Sequence, residues 1–170
     1  MYFFTLVTYN RRPIFNSEKV VRLLKRSISD IGTGRLFKID AIVIIPDHIH
    51  MLMELKDGFS DYSKIISLIK KKFGQELINI NSYVPSLPVS SVNRKERGVW
   101  QRRFWEHIIR DERDYIAHVN YIHLNPVRHG YVSDVTEWKW SSYFAFLKRG
   151  FYEEGWIQDD SELVFGTEWD

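Results

Sequence analysis

The stretch that decides the fold is residues 37–55, FKIDAIVIIPDHIHMLMEL, in which a proline-aspartate pair separates two apolar runs. Residues 37–45 begin by alternating polar with apolar side chains and then become wholly apolar, as in a central strand covered on both faces. Pro46 and Asp47 are typical of a tight turn. Residues 48–55 then predict a further strand, antiparallel to the first because so short a turn reverses the chain. This stretch therefore predicts a β-hairpin within a sheet.

The segments on either side of the hairpin predict a β-α-β-β-α-β-α order. Strand segments are rich in aromatic and β-branched side chains, and helix segments carry apolar side chains at helical spacing behind a capping residue. The predicted elements are strand 2–9, a helix capped by Asn16 or Ser17 and reaching about Asp30, strands 37–45 and 48–55, a helix over about 61–78 capped by Ser60, strand 99–109, and a helix over about 112–125 capped by Asp111 and closed by Pro126 and Gly130. The first six elements match a ferredoxin-like α+β sandwich, an antiparallel sheet with helices packed on it. That fold hosts many functions and decides none of them alone.

The length of 170 residues favours one domain over residues 1–170. We expect a core of about 2–130 and a C-terminal extension, residues 131–170, whose aromatic side chains predict a short helix and further cover for the core. Residues 79–98 are rich in Asn, Ser and Pro with few large apolar side chains, which predicts a long mobile loop.

The composition excludes several classes of protein. There is no cysteine, so neither disulfides nor thiolate metal sites are possible. No apolar run approaches the roughly 20 residues that span a bilayer, and the first residues lack the basic region of a signal peptide. We therefore expect a cytoplasmic protein without membrane contacts.

The net charge is only +2, but the basic side chains are clustered along the chain. Such clusters bind phosphates even where the net charge is small, although any one of them is as readily a solvated face. The clusters are Arg11 with Arg12, Lys70 with Lys71 and Lys72, Arg94 and Lys95 with Arg97, and Arg102 with Arg103. The last cluster lies within residues 100–105, WQRRFW, where interleaved arginines and rings such as Trp105 suit single-stranded nucleic acid. An ordinary amphipathic strand with core tryptophans is the alternative.

Two histidines, His48 and His50, stand at the start of the second hairpin strand. Residues i and i+2 of a strand point to the same face, so both imidazoles project together at the mouth of the turn, where a divalent ion can bind. In an arbitrary protein such a pair is more often two hydrogen-bonded turn histidines.

The last predicted helix carries a polar stripe at i, i+4, i+7 and i+11, formed by Asp114, His118, Tyr121 and Asn125. Tyr121 and Asn125 are four residues apart, so both side chains reach one point beside the helix. An amide oxygen is a suitable hard ligand for Mg²⁺ or Mn²⁺. Two observations favour a purely structural helix end: Tyr121 is typical of a half-buried position, and Pro126 favours extended geometry at Asn125, which would take that side chain off the shared face.

These three pieces, in this order, resemble one family. His48-Ile49-His50 resembles the histidine–hydrophobic–histidine (HUH) motif. Residues 100–107, WQRRFWEH, and 121–130, YIHLNPVRHG, resemble signatures of the REP-associated tyrosine transposases, relatives of the single-tyrosine HUH transposases. Residues 138–143, WKWSSY, resemble the tryptophan-serine-serine region of that family. The resemblance extends from about Tyr2 to Tyr143.

The resemblance implies a ferredoxin-like HUH domain that cuts single-stranded DNA beside short hairpins, the folded repeat elements. Carried over residue by residue, Tyr121 would be the nucleophile, and His48, His50 and Asn125 would hold a divalent metal, Mg²⁺ or Mn²⁺. Attack on a phosphodiester would leave a 5′-phosphotyrosine and a free 3′-hydroxyl, and the reverse reaction would join strands without ATP. We therefore predict a metal-dependent endonuclease and strand transferase, associated with the nucleoid of a prokaryote.

The group that activates the tyrosine is a separate question. A phenol has a pKa near 10 and is a poor nucleophile at neutral pH. His118 and His123 are both candidates to accept its proton, and His118 is better placed because it lies one helical turn from Tyr121 on the same stripe.

Three other functions remain open on the sequence alone. A hairpin-binding module with little or no cleavage is the first, a metal-dependent hydrolase of small substrates is the second, and a structural domain is the third. A monomer is expected because the histidine strand and the tyrosine helix can complete a site within one chain, with a dimer as the alternative. Family members often carry a basic segment before the first strand, and this chain starts inside that strand, so the DNA contacts of such a segment are not expected here.

Overall fold

The computed structural model describes residues 1–33, 36–56, 58, 60–81 and 98–153. Residues 82–97, which include most of the predicted 79–98 loop and its basic cluster, and residues 154–170 of the predicted C-terminal extension lie outside the described residues. The helices and strands are β1 (Tyr2–Val7), α1 (Glu18–Gly32), β2 (Phe37–Ile44), β3 (His48–Leu55), α2 (Tyr62–Asn81), β4 (Trp105–Ile108), α3 (Glu112–Arg128) and α4 (Tyr143–Lys148). Residues Tyr9–Arg11 and Val135–Glu137 form short 3-10 helices.

The strands form one antiparallel sheet in the order β2-β3-β1-β4. The predicted hairpin is confirmed, because β2 and β3 pair from Phe37 opposite Leu55 to Ile44 opposite Ile49. Its turn is closed by the Ile45 amide, which donates to the His48 carbonyl oxygen at 2.9 Å. The element order and this sheet confirm the predicted ferredoxin-like α+β fold.

Alternation of side chains along β1 and β3 gives the sheet two buried faces. The core that includes α1 and α2 contains Phe4, Leu6, Ile49, Met51 and Met53 from these strands. The core that includes α3 contains Phe3 and Leu52 from the same strands. Burying each large apolar side chain contributes about 1.5–3 kcal/mol, and a one-residue shift of β3 would turn its whole apolar set outward. The register is therefore strongly fixed, and His48 and His50 share the α3 face with Leu52.

The predicted strand over 99–109 is only partly present, because β4 covers four residues, Trp105–Ile108. β1 pairs with this segment at Thr5 opposite Trp105 and again at an isolated bridge between Thr8 and Trp100. Between those pairs β1 advances by three residues (5 to 8) and the other segment by five (100 to 105), so a regular ladder cannot continue. The Lys70 ammonium instead donates to two backbone carbonyls of the irregular stretch, at 2.6 and 3.2 Å.

The start of α3 matches the prediction, and its end does not. The Asp111 carboxylate caps the helix by accepting a hydrogen bond from the Asp114 amide at 2.8 Å. The predicted end at residue 125 is wrong, because the helix continues to Arg128 with Pro126 in its last turn. A proline there removes one backbone donor, which the rest of the helix outweighs. Asn125 therefore keeps helical geometry and stays on the same stripe as the residues before it.

Gly130 closes α3 in a Schellman motif. Its amide donates to the Val127 carbonyl at 2.9 Å, and the Tyr131 amide donates to the Pro126 carbonyl at 2.9 Å. Gly130 has a φ of +68°, in the left-handed region that glycine adopts without strain. The carbonyls at this helix end are thereby satisfied from the backbone.

The segment after α3 covers the outer edge of β2. The Ile44 amide donates to the Trp140 carbonyl at 2.9 Å, and the Ser142 amide donates to the Ile42 carbonyl at 2.8 Å. The indole of Trp138 donates to the Ile44 carbonyl at 3.1 Å. The predicted short helix with aromatic cover is confirmed by α4, within the described part of the extension. In that same part of the chain, none of the helices combines the length and the apolar character that crossing a membrane requires.

Candidate functional site

His48 and His50 lie side by side on the α3 face of β3. Both are buried, with exposed fractions of 2% and 0%, and their ring centroids are 4.8 Å apart. The i, i+2 spacing therefore brings the two imidazoles together, as predicted. Burying polar ring nitrogens is unfavourable unless each one finds a partner, so the atoms around the rings decide what the pair can do.

Each histidine is oriented through its Nδ1 atom. Nδ1 of His48 is 2.6 Å from Oδ1 of Asp47, and Nδ1 of His50 is 2.9 Å from the Thr5 hydroxyl. Burial alone would raise the pKa of the Asp47 carboxyl, but hydrogen bonds and charge from His48 and Arg11 outweigh it and hold that pKa below its usual value. Partners on Nδ1 are the usual means of aiming Nε2 of a histidine at a metal.

Two buried polar groups at this place have no hydrogen-bond partner among the described residues. One is Nε2 of His48, and the other is the side-chain amide of Asn125, whose exposed fraction is 0%. A buried polar group left without a partner costs about 1–3 kcal/mol. Two imidazole nitrogens, from His48 and His50, with the amide oxygen of Asn125 form a ligand set that fits a divalent cation.

The helix α3 places Asn125 against the histidine pair. Tyr121, one turn before Asn125, packs on His50 with ring centroids 5.1 Å apart. His129, one turn after Asn125, packs on His48 with ring centroids 5.0 Å apart. Residues four apart lie in one row along a helix, so Asn125 lies between the two residues that touch the histidines. Tyr121 itself is buried, with 3% of its surface exposed.

His118 lies in the same aromatic group as Tyr121. The Phe3 ring is 4.8 Å from the His118 ring and 5.9 Å from the Tyr121 ring, measured between centroids. Nδ1 of His118 is 2.7 Å from the Asp114 carbonyl oxygen. A carbonyl only accepts, so Nδ1 carries the hydrogen and Nε2 carries the lone pair in the neutral ring. Burial lowers the pKa of His118, against an opposing effect of Asp114, so the ring is neutral at pH 7.

A second group of potential ligands lies on the other side of His118. His107, Asp114 and His118 have ligand atoms within 4.8 Å of one another. Oδ2 of Asp114, however, already accepts hydrogen bonds from Nε2 of His107 at 2.9 Å and from the Arg110 amide and Nε at 3.0 and 3.2 Å. Burial would raise the pKa of Asp114, but these bonds lower it to about 2. The group is a satisfied clamp between β4 and α3, and a metal there would have to displace the existing donors.

His123 serves the packing of the C-terminal segment. It is fully buried, and its two nitrogens lie 2.8 Å from the Tyr152 hydroxyl and 2.8 Å from the Ser142 hydroxyl. Burial lowers the pKa of His123 to about 3. Because both ring nitrogens are engaged away from Tyr121, His123 remains the less suitable proton acceptor of the two sequence candidates.

Three of the predicted DNA-contacting side chains pair within the chain. Arg11 lies 3.2 Å from Asp47, and Lys72 pairs with two carboxylates at 3.0 and 2.8 Å. Lys70 is held over backbone carbonyls, and burial lowers its pKa to about 8.

The other predicted DNA-contacting residues are more accessible. Lys71, Arg102 and Arg103 are exposed. Arg12 is half-buried, with its guanidinium carbon 5.8 Å from a tyrosine ring. Trp105 is half-buried and stacks on His107 with the ring planes 5° apart. These residues stand on β4, the segment before it, α2 and the turn after β1.

Sequence reasoning missed four residues around the histidine pair: Thr5, Asp47, Arg128 and His129. Arg128 and His129 follow Tyr121 at i+7 and i+8, a spacing that would have placed them on the stripe had the helix not been ended at residue 125. Asp47 was assigned to the turn alone, although a carboxylate beside a metal-binding histidine is common. Thr5 had no signal in the sequence, because only strand register brings it opposite His50.

Comparison with known proteins finds likenesses over most of the chain. Residues 1–125 match the profile of a family described as "Transposase IS200 like". A REP-associated tyrosine transposase of Escherichia coli K12 is 33% identical over 165 residues, which are 97% of this chain and 89% of that protein. A Haemophilus influenzae protein of the same transposase name is 35% identical over 156 residues, which are 92% of this chain and 86% of that protein.

Solved structures give the same likeness in three dimensions. A structure of a REP-associated tyrosine transposase bound to a REP hairpin superposes with a TM-score of 0.77 at 31% identity, covering 99% of this chain and 90% of that chain. A crystal structure of a Deinococcus radiodurans protein superposes with a TM-score of 0.51 at 16% identity, covering 71% of this chain and 86% of that chain, and supports the fold alone.

Proposed function

We propose a function for this chain on the premise that it belongs to the REP-associated tyrosine transposases, a family of DNA-processing enzymes within the IS200-like transposases. It is a metal-dependent endonuclease and strand transferase that acts on single-stranded DNA beside hairpins. The observation that carries the proposal is the packing of Tyr121 on His50, with ring centroids 5.1 Å apart. It sets a hydroxyl nucleophile beside a histidine pair that fits a metal, the two components that phosphodiester transfer requires.

Tyr121 is the nucleophile in this proposal. Its hydroxyl oxygen attacks the scissile phosphorus, the bond from phosphorus to the 3′ oxygen breaks, and a 5′-phosphotyrosine remains. The phenol proton passes to a base and then to the departing 3′ oxygen, which leaves as a hydroxyl. Attack of that or another 3′-hydroxyl on the phosphotyrosine reverses each bond change and joins strands. No step consumes ATP, because the ester linkage is conserved.

His118 is the proton acceptor that the contacts support best. Its Nδ1 hydrogen is directed to the Asp114 carbonyl at 2.7 Å, so the lone pair is on Nε2. Burial keeps the pKa of His118 below its usual value, which leaves the ring neutral and able to take a proton at pH 7.

His48, His50 and Asn125 would hold the divalent ion, Mg²⁺ or Mn²⁺. When bound, the ion supplies positive charge that polarises the scissile phosphate. Asp47 and Thr5 hold the two imidazoles in place through their Nδ1 atoms. This set is favoured over His107, Asp114 and His118 because the Asp114 carboxylate there is already satisfied.

Single-stranded DNA with a hairpin is the proposed partner. The relative with a TM-score of 0.77 was solved with a REP hairpin bound, which supports the same class of partner here. Arg12, Lys71, Arg102 and Arg103 would contact phosphates, and Trp105 would offer a ring to a base. Arg11, Lys70 and Lys72 would do so only by exchanging the partners that they have within the chain. Because Tyr121 and His50 touch within one chain, the proposed site is complete in a monomer made of one domain, acting in the cytoplasm near the nucleoid.

A covalent-capture assay tests this function. The protein is incubated with Mg²⁺ or Mn²⁺ and a pool of single-stranded hairpin oligonucleotides, and denaturant-resistant DNA adducts are mapped by mass spectrometry. We expect an adduct on Tyr121, formed only with the metal, and the sequence of the trapped DNA identifies the target. An adduct on another residue, or equal yield in EDTA, contradicts the proposal.

The burial of Tyr121 favours a second candidate function, a hairpin-binding module with little or no cleavage. With 3% of its surface exposed, the phenol meets a phosphate only if bound DNA displaces neighbouring groups. Hairpin binding without any adduct would select this alternative.

A further inference from the structure

Arg128 occupies the last turn of α3, two turns beyond Tyr121 and on the same side of the helix. Its guanidinium carbon lies 5.1 Å from the centroid of the Tyr121 ring. The side chain is half-buried, and its Nη1 atom is fully buried with no hydrogen-bond partner in the part of the chain that the structure describes. A charged donor thus stands over the proposed nucleophile with its hydrogen-bonding capacity unmet.

A role at the helix terminus does not account for this placement. A cation near the C-terminus of a helix gains about 0.3–1 kcal/mol from the dipole, which explains a basic residue in the last turn. The carbonyls of that turn, however, already accept from the amides of Gly130 and Tyr131 at 2.9 Å. Leaving a charged donor buried and unsatisfied costs more than the dipole returns, so the Arg128 position needs another explanation.

We propose that Arg128 binds a non-bridging oxygen of the scissile phosphodiester and keeps hold of the same phosphate once it is attached to Tyr121; this inference rests on the proposed function. A guanidinium is always charged, and its planar fork of donors matches the oxygens of a phosphate. The Tyr121 ring touches His50 and Arg128, each at 5.1 Å. A phosphate delivered to the phenol therefore arrives between the proposed metal ligands and this cation.

The same placement explains why an arginine is needed and not any cation. The contact that Arg128 makes with the ring is the flat approach of a guanidinium to an aromatic face. From that position one edge of the fork can serve the phosphate while the plane stays on the ring. A lysine ammonium would keep the charge but could not make both contacts, so it should restore only part of the function.

The test compares the rate at which the wild-type protein and the variants Arg128→Met, Arg128→Lys and Arg113→Met form the adduct with Mn²⁺ and a captured hairpin oligonucleotide. Arg113 is an exposed arginine on the same helix and serves as the matched control. By analogy with the loss of one oxyanion donor, we expect Arg128→Met to slow adduct formation by about 100-fold to 1,000-fold. Arg128→Lys should fall between, and Arg113→Met should stay near the wild-type rate. Hairpin affinity should change far less than the rate in every variant.

A chemical substitution separates phosphate binding from a merely structural effect. A methylphosphonate at the scissile position removes the charge that Arg128 is proposed to bind. It should slow the wild-type protein strongly and Arg128→Met little beyond its existing defect, and thermal unfolding checks that the variant is folded. Equal slowing of both proteins, or an Arg128→Met variant that reacts at the wild-type rate, overturns the inference while the proposed function stands.

A binding measurement decides the case in which the wild-type protein forms no adduct. The Nε–H resonance of Arg128, assigned by its loss in Arg128→Met, is followed in ¹H–¹⁵N spectra while the hairpin oligonucleotide pool is added. A shift of that resonance supports the phosphate contact even though the proposed cleavage has failed. An unmoved resonance at saturation, with other arginine resonances shifting, overturns the inference.

Discussion

The hydroxyl of Thr5 lies 2.9 Å from Nδ1 of His50, across the β1–β3 ladder that sets the two residues opposite each other. Both side chains are buried, with exposed fractions of 3% and 0%. The contact fixes the rotation of the imidazole and so the direction in which its Nε2 atom points. A residue that never touches the proposed metal therefore influences how well the metal is held.

Replacing Thr5 with valine should weaken Mn²⁺ binding by about 10-fold to 100-fold, the usual effect of losing such an outer hydrogen bond. Valine has nearly the same shape, so packing is preserved while the hydrogen bond is lost. Isothermal titration with Mn²⁺ measures the affinity, and Thr5→Ser, which keeps the hydroxyl, is the matched control. Equal affinity in all three proteins would mean that Thr5 has no part in metal binding.

The two histidine clusters make opposite predictions about where the metal binds. We expect the double substitution of His48 and His50 by alanine to abolish Mn²⁺ binding and activity together. His107→Ala should retain Mn²⁺ binding, because it opens the clamp on Asp114 without touching the HUH pair. Electron paramagnetic resonance of bound Mn²⁺ reads out both variants. The reverse pattern would move the metal to His107, Asp114 and His118.

Much of the fold followed from local patterns in the sequence. The hairpin over residues 37–55 was predictable because an apolar run, a Pro-Asp turn and a second apolar run leave one arrangement that buries both strands. The Asp111 cap was predictable because the side chain acts within one helical turn. The strand over 99–109 was overextended, since nothing local reveals that Lys70 takes up the carbonyls of its first half.

The candidate site was predictable only where residues are close in sequence. The pair His48 and His50 comes from strand periodicity, and Tyr121 with Asn125 comes from helix periodicity. The proline rule ended the helix too early and so concealed Arg128, because the Schellman closure at Gly130 that stabilises the last turn depends on residues beyond the proline. The contact between Tyr121 and His50 depends on packing of α3 against the sheet, which no local pattern specifies.

Tyr121→Phe should abolish the DNA adduct and leave hairpin binding intact, since only the nucleophilic oxygen is removed. The matched control is Tyr115→Phe, on the same helix. The Tyr115 hydroxyl donates to Asp40 at 2.6 Å, and burial with that carboxylate raises its pKa, which keeps the phenol protonated. Denaturing gels measure the adduct and fluorescence anisotropy measures binding. Adduct formation by Tyr121→Phe would identify another nucleophile, with Tyr115 the next residue to test.

Burial of His123 should make the protein less stable in mild acid. Its pKa is about 3 in the folded state and near 6.5 when unfolded, so the unfolded state binds the extra proton between those values. Stability is therefore full above pH 6.5 and falls as the pH drops toward 3, by about 1.4 kcal/mol per pH unit from this one group. Urea unfolding at pH 7 and pH 5 should show a smaller loss in His123→Asn, which keeps polar contacts without a titrating ring. An equal loss in both proteins would show that other groups, such as His118, account for the acid sensitivity.

Salt dependence should separate the exposed basic side chains from those that already have partners. Each phosphate contact made by a single-stranded region contributes about 0.7 to the slope of log affinity against log salt. Replacing Arg102 and Arg103 by glutamine should therefore weaken hairpin binding and lower that slope by roughly 1.4 if both contact phosphates. Lys72→Gln is the comparison, because its ammonium is held by Asp30 and Glu76 at 3.0 and 2.8 Å, and it should leave the slope nearly unchanged. Anisotropy titrations from low to physiological salt give both slopes. A slope unaffected by the arginine replacements would assign these side chains to solvent, and a fall with Lys72→Gln would show that DNA displaces its carboxylate partners.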